Sequence, residues 1–153
     1  MKEEYIQNYL NAAKSVLQSF TSNEVEFETI DARTSSRLNH DISIIIGFVG
    51  DYRGQAYLLM EKDAATTLTS MLAGGMEVTE IDELVKSAMG ELGNMIMGNA
   101  CTLFSQQGVS MDITPPSIIT GSDFHISNLS PTFCHDIIID GISKICFDVA
   151  LKN

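Results

Sequence analysis

Apolar residues near the start of the chain recur every three to four positions: Ile6, Leu10, Ala13, Val16, Leu17 and Phe20. This spacing predicts an amphipathic helix over 3–20. The pattern then shifts to strand character. VEFET at 25–29 is a short strand candidate, followed by the polar loop 31-DARTSSRLNHD-41. The run 42-ISIIIGFVG-50 is nearly continuous and β-branched, as expected for a strand buried on both faces. The turn 50-GDYRG-54 and the strand 55-QAYLLM-60 complete a hairpin. A short helix over 62–73 turns Ala65, Leu68, Met71 and Leu72 inward, and Gly74-Gly75 ends it.

A second, longer helix is predicted from Thr79 to about Gln106, with Asp82 completing a capping box and Gly108 just beyond the end. Strands are expected at 109–114, at 117–120 with 124–126, and at 133–140. A final strand over 143–151 sets Ile145, Phe147, Val149 and Leu151 against Lys144 and Asp148. Helices mixed with mostly hairpin-linked strands imply an α+β, two-layer fold with a mainly antiparallel sheet. At 153 residues without a low-complexity linker, the whole of 1–153 reads as one domain.

Charge narrows the partners. Nine Lys and Arg stand against twenty Asp and Glu, a net charge of −11. That sign repels nucleic acid and anionic membrane surfaces, so neither is expected as a partner. No apolar run approaches the roughly 20 residues of a bilayer span. The polar opening MKEEYIQNYL does not read as a signal peptide, so a soluble, cytoplasmic protein is expected. Cys101, Cys134 and Cys146 are odd in number and lack metal-ligand spacing, as do His40, His125 and His135. In Cys134-His135-Asp136, neighbouring strand residues point to opposite faces and cannot converge on one substrate.

The most informative stretch is 87-SAMGELGNMIMGNA-100, a helix segment with three glycines. Each internal glycine costs about 0.8–1 kcal/mol relative to alanine. With Leu84 at zero and about 100° per residue, Leu84, Val85, Ala88, Leu92, Met95, Ile96 and Leu103 fall within roughly 0–120° and predict the buried stripe. Asn99 lands in that stripe and is expected to be a buried structural amide. Ser87, Glu91, Asn94 and Gly98 fall at roughly 280–340°, on the opposite side. Gly90 flanks this face, and Gly93 falls between the two. A face of Gly, Ser, Glu, Asn and Gly has low relief, so a partner's backbone can come close. An outward Glu and Asn are ordinarily just solvated. Yet 87–107 holds no Lys or Arg, whereas exposed helix faces usually carry long charged side chains.

SAMGELGNMIMGNA, followed by 111-MDITPPSII-119, resembles the CheC/CheX/FliY family of bacterial chemotaxis phosphatases, and its CheX branch most closely. The family signature is an acid or Ser, a Glu four residues later, an Asn three after that, and a downstream proline. Ser87, Glu91, Asn94 and Pro115-Pro116 match it. CheC-type members carry the Glu/Asn motif twice. Here the first helix lacks it, since Glu4 is followed three residues on by Gln7. The resemblance therefore implies one site per chain on a CheC-like fold, built around the long motif-bearing helix.

It further implies an enzyme that hydrolyses the aspartyl phosphate of a CheY-like response regulator. Asn94 would orient the attacking water, since an amide can donate and accept at once. Glu91 would pair with the regulator's lysine, and Ser87, Gly90 and Gly98 would contact the partner. No cofactor is expected on this chain; Mg2+ would come with the regulator. A homodimer joined through the sheets is also implied. The alternative is a non-catalytic binding or dimerisation module of a two-component or flagellar switch system.

Overall fold

The computed structural model describes residues 3–30, 40–121 and 132–152. In chain order the elements are α1 (Glu3–Thr21), β1 (Val25–Ile30), β2 (Ile42–Gly50), β3 (Arg53–Met60) and α2 (Lys62–Leu72). Then come α3 (Glu83–Gln106), β4 (Met111–Ile113), β5 (Ser117–Thr120), β6 (Thr132–Ile139) and β7 (Ile142–Lys152). Among the described residues the strands form one seven-stranded sheet in the order β1-β6-β7-β3-β2-β4, with β5 also on β2. Every pairing is antiparallel. The α+β expectation holds. The strand segment expected at 124–126 and most of the 31–41 loop lie outside the described residues.

The three helices of the described residues pack on one face of the sheet. That face presents Ile42, Ile44, Ile46 and Phe48 from β2, Ala56, Leu58 and Met60 from β3, and Ile145, Phe147, Val149 and Leu151 from β7. They meet Tyr9, Leu17, Leu68, Leu92, Ile96 and Phe104 of the helices in one continuous core. On the opposite, outer face a smaller cluster joins Tyr57, Leu59, Cys146 and Ala150, with Ile45 packed against it. β2 is thus buried on both faces only over its first half. Its later outward residues open up, and Val49 is 43% exposed.

On the outer face of β7, Asp148 is buried rather than solvent-facing as its polarity suggests. It sits beside Cys134 in register, and Asp136 beside Cys146. Lys144 reaches Asp136 at 3.4 Å. His135 pairs in register with Phe147 on the inner face, so Cys134-His135-Asp136 is split between faces as strand geometry requires.

The free edge of β2 takes two short strands instead of one. β4 pairs with Phe48–Gly50 and β5 with Ile42–Ile45. Between them, Pro115 and Pro116 lack the N–H a ladder needs, so pairing breaks there. Thr114 bridges the gap: its N–H donates to the Gly47 carbonyl (2.9 Å), and its Oγ1 accepts from the Gly47 N–H (2.9 Å).

Candidate functional site

α3 begins at Glu83, four residues later than the capping-box reading places it. Asp82 is its N-cap, and the Asp82 carboxylate accepts from the Val85 N–H at 3.1 Å. Asp82 therefore satisfies an orphan donor from outside the helix, where an aspartate works best. At the other end, Asn8 of α1 and Gln107 exchange two amide hydrogen bonds of 2.9 and 3.1 Å. These fasten the end of α3 to α1.

The rotation of α3 differs from the hydrophobic prediction. Its buried residues are Val85, Met89, Gly90, Leu92, Gly93, Ile96, Met97, Ala100 and Phe104. On the angular scale above, their centre lies near roughly 150°, a quarter turn beyond the predicted stripe. Leu84 is 41% exposed and Met95 36% exposed, and Asn99 is solvent-facing rather than buried.

Two glycines explain the phase. A Cβ on Gly93 would come within 2.7 Å of Ile46 Cδ1 and 3.1 Å of Ile44 Cγ2, so its absence lets α3 press its backbone against β2. A Cβ on Gly90 would lie 3.0 Å from Ile118 Cδ1 and 3.6 Å from Pro116 Cγ. Gly90 is thus buried against the β4–β5 connection and lies beneath the exposed face, not on it, contrary to expectation.

What remains outward is the motif. Ser87 and Glu91 are exposed and Asn94 is half-buried, all on one side of α3. Among the described residues, none of their side chains forms a hydrogen bond or ion pair. Gly98 continues the same side, and a Cβ there would meet nothing within 4 Å. The nearest cation on the helix, Lys86, is held by Glu83 at 3.2 Å. Leu84 and Met95 flank Glu91 on this surface, which sequence reasoning missed by assigning them to the core. The clue was the glycine pair: a glycine allows close approach of a helix backbone to its neighbour, and Gly90 and Gly93 stand on the side that packs.

An exposed carboxylate one turn from a free carboxamide can pair with a cation and hold a water, and among the described residues the Ser87 hydroxyl beside them has no hydrogen-bonded base to make it a nucleophile. Cys101, half-buried on the same helix, does not supply one. Burial, and secondarily the Asp112 carboxylate, push its thiol pKa up and keep it protonated.

The chain matches the family described as chemotaxis phosphatase CheX over residues 42–139. The CheY-P phosphatase CheX of Thermotoga maritima is 36% identical over 89 residues, 58% of this chain and 57% of that protein. The matched segment thus spans little more than half of that curated relative. Among solved structures, a Borrelia burgdorferi CheX-CheY-BeF3-Mg2+ complex superposes with a TM-score of 0.82 at 28% identity, covering 97% of this chain and 98% of that one. A CheC-like protein of Shewanella oneidensis superposes with a TM-score of 0.86 at 21% identity, covering 99% and 100%.

Proposed function

The chain belongs to the chemotaxis phosphatase CheX family, and on that premise we propose that it hydrolyses the aspartyl phosphate of a CheY-like response regulator. The observation that carries this reading is the side of α3 where Glu91 and Asn94 stand one turn apart, outward and uncommitted. The Borrelia relative supports it, because that CheX is seen with CheY, BeF3 and Mg2+. BeF3 joined to a carboxylate has the tetrahedral shape and the negative sign of a phosphoryl group, so it stands in for the aspartyl phosphate.

The chemistry asks little of this chain. An acyl phosphate is already activated, and the regulator brings Mg2+ and a lysine to its own phosphorylation site. Water attacks phosphorus, the P–O bond to the aspartyl carboxylate breaks, and inorganic phosphate leaves. What is missing is a water held in line. Asn94 supplies it: its Oδ1 accepts from the water while its Nδ2 donates, the role a glutamine plays in GTPases. Its half-buried position limits the rotamers it can sample. Glu91 pairs with the regulator's lysine and sets the angle at which α3 approaches. Ser87 adds a lesser contact, and Gly98 leaves room for the partner's backbone. The acting protein is cytoplasmic and is expected to be a homodimer joined through its sheets.

The test is phosphate release from phosphorylated candidate regulators. Asn94→Ala should lower turnover by about 100-fold or more, the scale of a positioned catalytic group, with regulator binding largely kept. Glu91→Ala should weaken binding as well. Wild-type turnover by Asn94→Ala would remove Asn94 from the mechanism. A wild-type protein that binds phosphorylated regulator without releasing phosphate would be a docking module.

A further inference from the structure

The outer face of the sheet carries a second polar feature, on the side opposite α3. Where β3 and β7 run side by side near the β2–β3 turn, a concavity of about 400 Å³ opens above β2, β3 and β7. Arg53 and Lys152 both line it. They are direct cross-strand partners, two cations facing each other across an antiparallel ladder. Like charges so placed repel. In a chain of twenty acids and nine cations, this pairing is the opposite of what stability favours. Among the described residues neither cation has a salt bridge, and no Asp or Glu lines the concavity.

The neighbouring groups are donors or are held in place. Tyr57 donates its hydroxyl proton to Gln55 Oε1 at 2.6 Å, which fixes the Gln55 amide and leaves its NH2 for another acceptor. The Ser117 hydroxyl lies on the same wall. Gly47 faces outward between Ile45 and Val49, so its missing side chain keeps the floor open. A Cβ there would lie 3.0 Å from Thr114 Oγ1. Two cations, a free amide NH2 and a hydroxyl around an acid-free hollow form a receptor for negative charge.

We infer that this concavity binds a small doubly charged anion bearing phosphate or carboxylate groups. Arg53 supplies a planar fork that matches either group in bidentate fashion, and Lys152 supplies a point charge. Occupancy relieves the repulsion between the two cations. Because both are solvent-exposed, binding weakens as ionic strength rises.

The experiment is an NMR titration of 15N-labelled protein at constant ionic strength, with inorganic phosphate in one arm and malonate in the other. Saturable shifts are expected at the Gly47 and Ser117 amides and the Gln55 side-chain NH2. Saturation by phosphate alone identifies a phosphate site, and saturation by both identifies a general dianion site. The double variant Arg53→Gln/Lys152→Gln should weaken binding at least about ten-fold, with Arg53→Gln the more damaging single change. Asn94→Ala should leave this titration unchanged, which separates the site from the face of α3. Non-saturating shifts, or equal affinity in the double variant, would overturn the proposal. So would a lower melting temperature for Arg53→Gln without ligand, because a purely structural arginine would be lost there, whereas removing one of two opposed cations should leave stability equal or higher.

Discussion

α1 and α3 are the two long helices of one layer, and they show their packing in opposite ways. α1 buries what its pattern says it should: Ile6, Leu10, Ala13, Val16 and Leu17 are all core residues. It also buries Tyr9, Ala12 and Asn8, a buried amide satisfied by Gln107, while Phe20 at its end is half-buried. α3 buries two glycines and exposes a leucine and a methionine. A helix that only packs can be phased by its apolar residues. A helix that packs partly through its backbone cannot, because glycines such as Gly90 and Gly93 then lie inside and apolar residues are divided between both sides.

The most severe test of this contrast truncates a leucine on each helix. Leu17 is 1% exposed, so Leu17→Ala removes fully buried atoms and should destabilise by about 2–5 kcal/mol. Leu84→Ala should change stability by less than about 0.5 kcal/mol, as for an ordinary surface substitution. Its effect should appear instead as a raised KM for the regulator. Urea denaturation of both variants measures the first, and phosphate-release kinetics the second. Comparable losses of stability in the two would mean that α3 is phased as its hydrophobic pattern suggests.

A smaller change addresses the cause of the phase. Gly93→Val adds a branched side chain where even a Cβ would crowd Ile46 and Ile44. Overpacking of this kind should cost about 1–3 kcal/mol, read as a lower urea midpoint. A neutral result would mean that α3 does not rest its backbone on β2.

The same logic explains which features could be read from the sequence. The β2–β3 hairpin, α2 and its Gly74-Gly75 stop were legible because local chemistry decides them. Gly74 and Gly75 adopt φ of 72° and 95°, which few other residues tolerate. The motif on α3 was legible because Ser87, Glu91 and Asn94 are polar and share one side whatever the helix rotation. Three features depended on partners distant in sequence. The burial of Gly90 required Pro116 and Ile118, that of Gly93 required β2, and that of Asp148 required its cross-strand neighbours on β6 and β3. The start of α3 misled for another reason. Thr79 and Asp82 are both capable caps, and choosing between them depends on where the helix meets the sheet.

The mildest substitution expected to move stability measurably concerns Gly98, the counterpart of Gly93 on the opposite side of α3. Space does not hold glycine there, since an added Cβ meets nothing within 4 Å. Alanine at that position should therefore stabilise the helix by about 0.5–1 kcal/mol, the ordinary difference in helix propensity. A glycine that weakens its helix without easing any internal contact is what a docking face for another backbone would call for. If that is the regulator's backbone, Gly98→Ala will melt at a higher temperature yet show a raised KM with kcat nearly unchanged, because a methyl group in the docking face obstructs approach without touching the held water. A variant that is both more stable and fully active would leave Glu91 and Asn94 as the working part of the face and remove Gly98 from it.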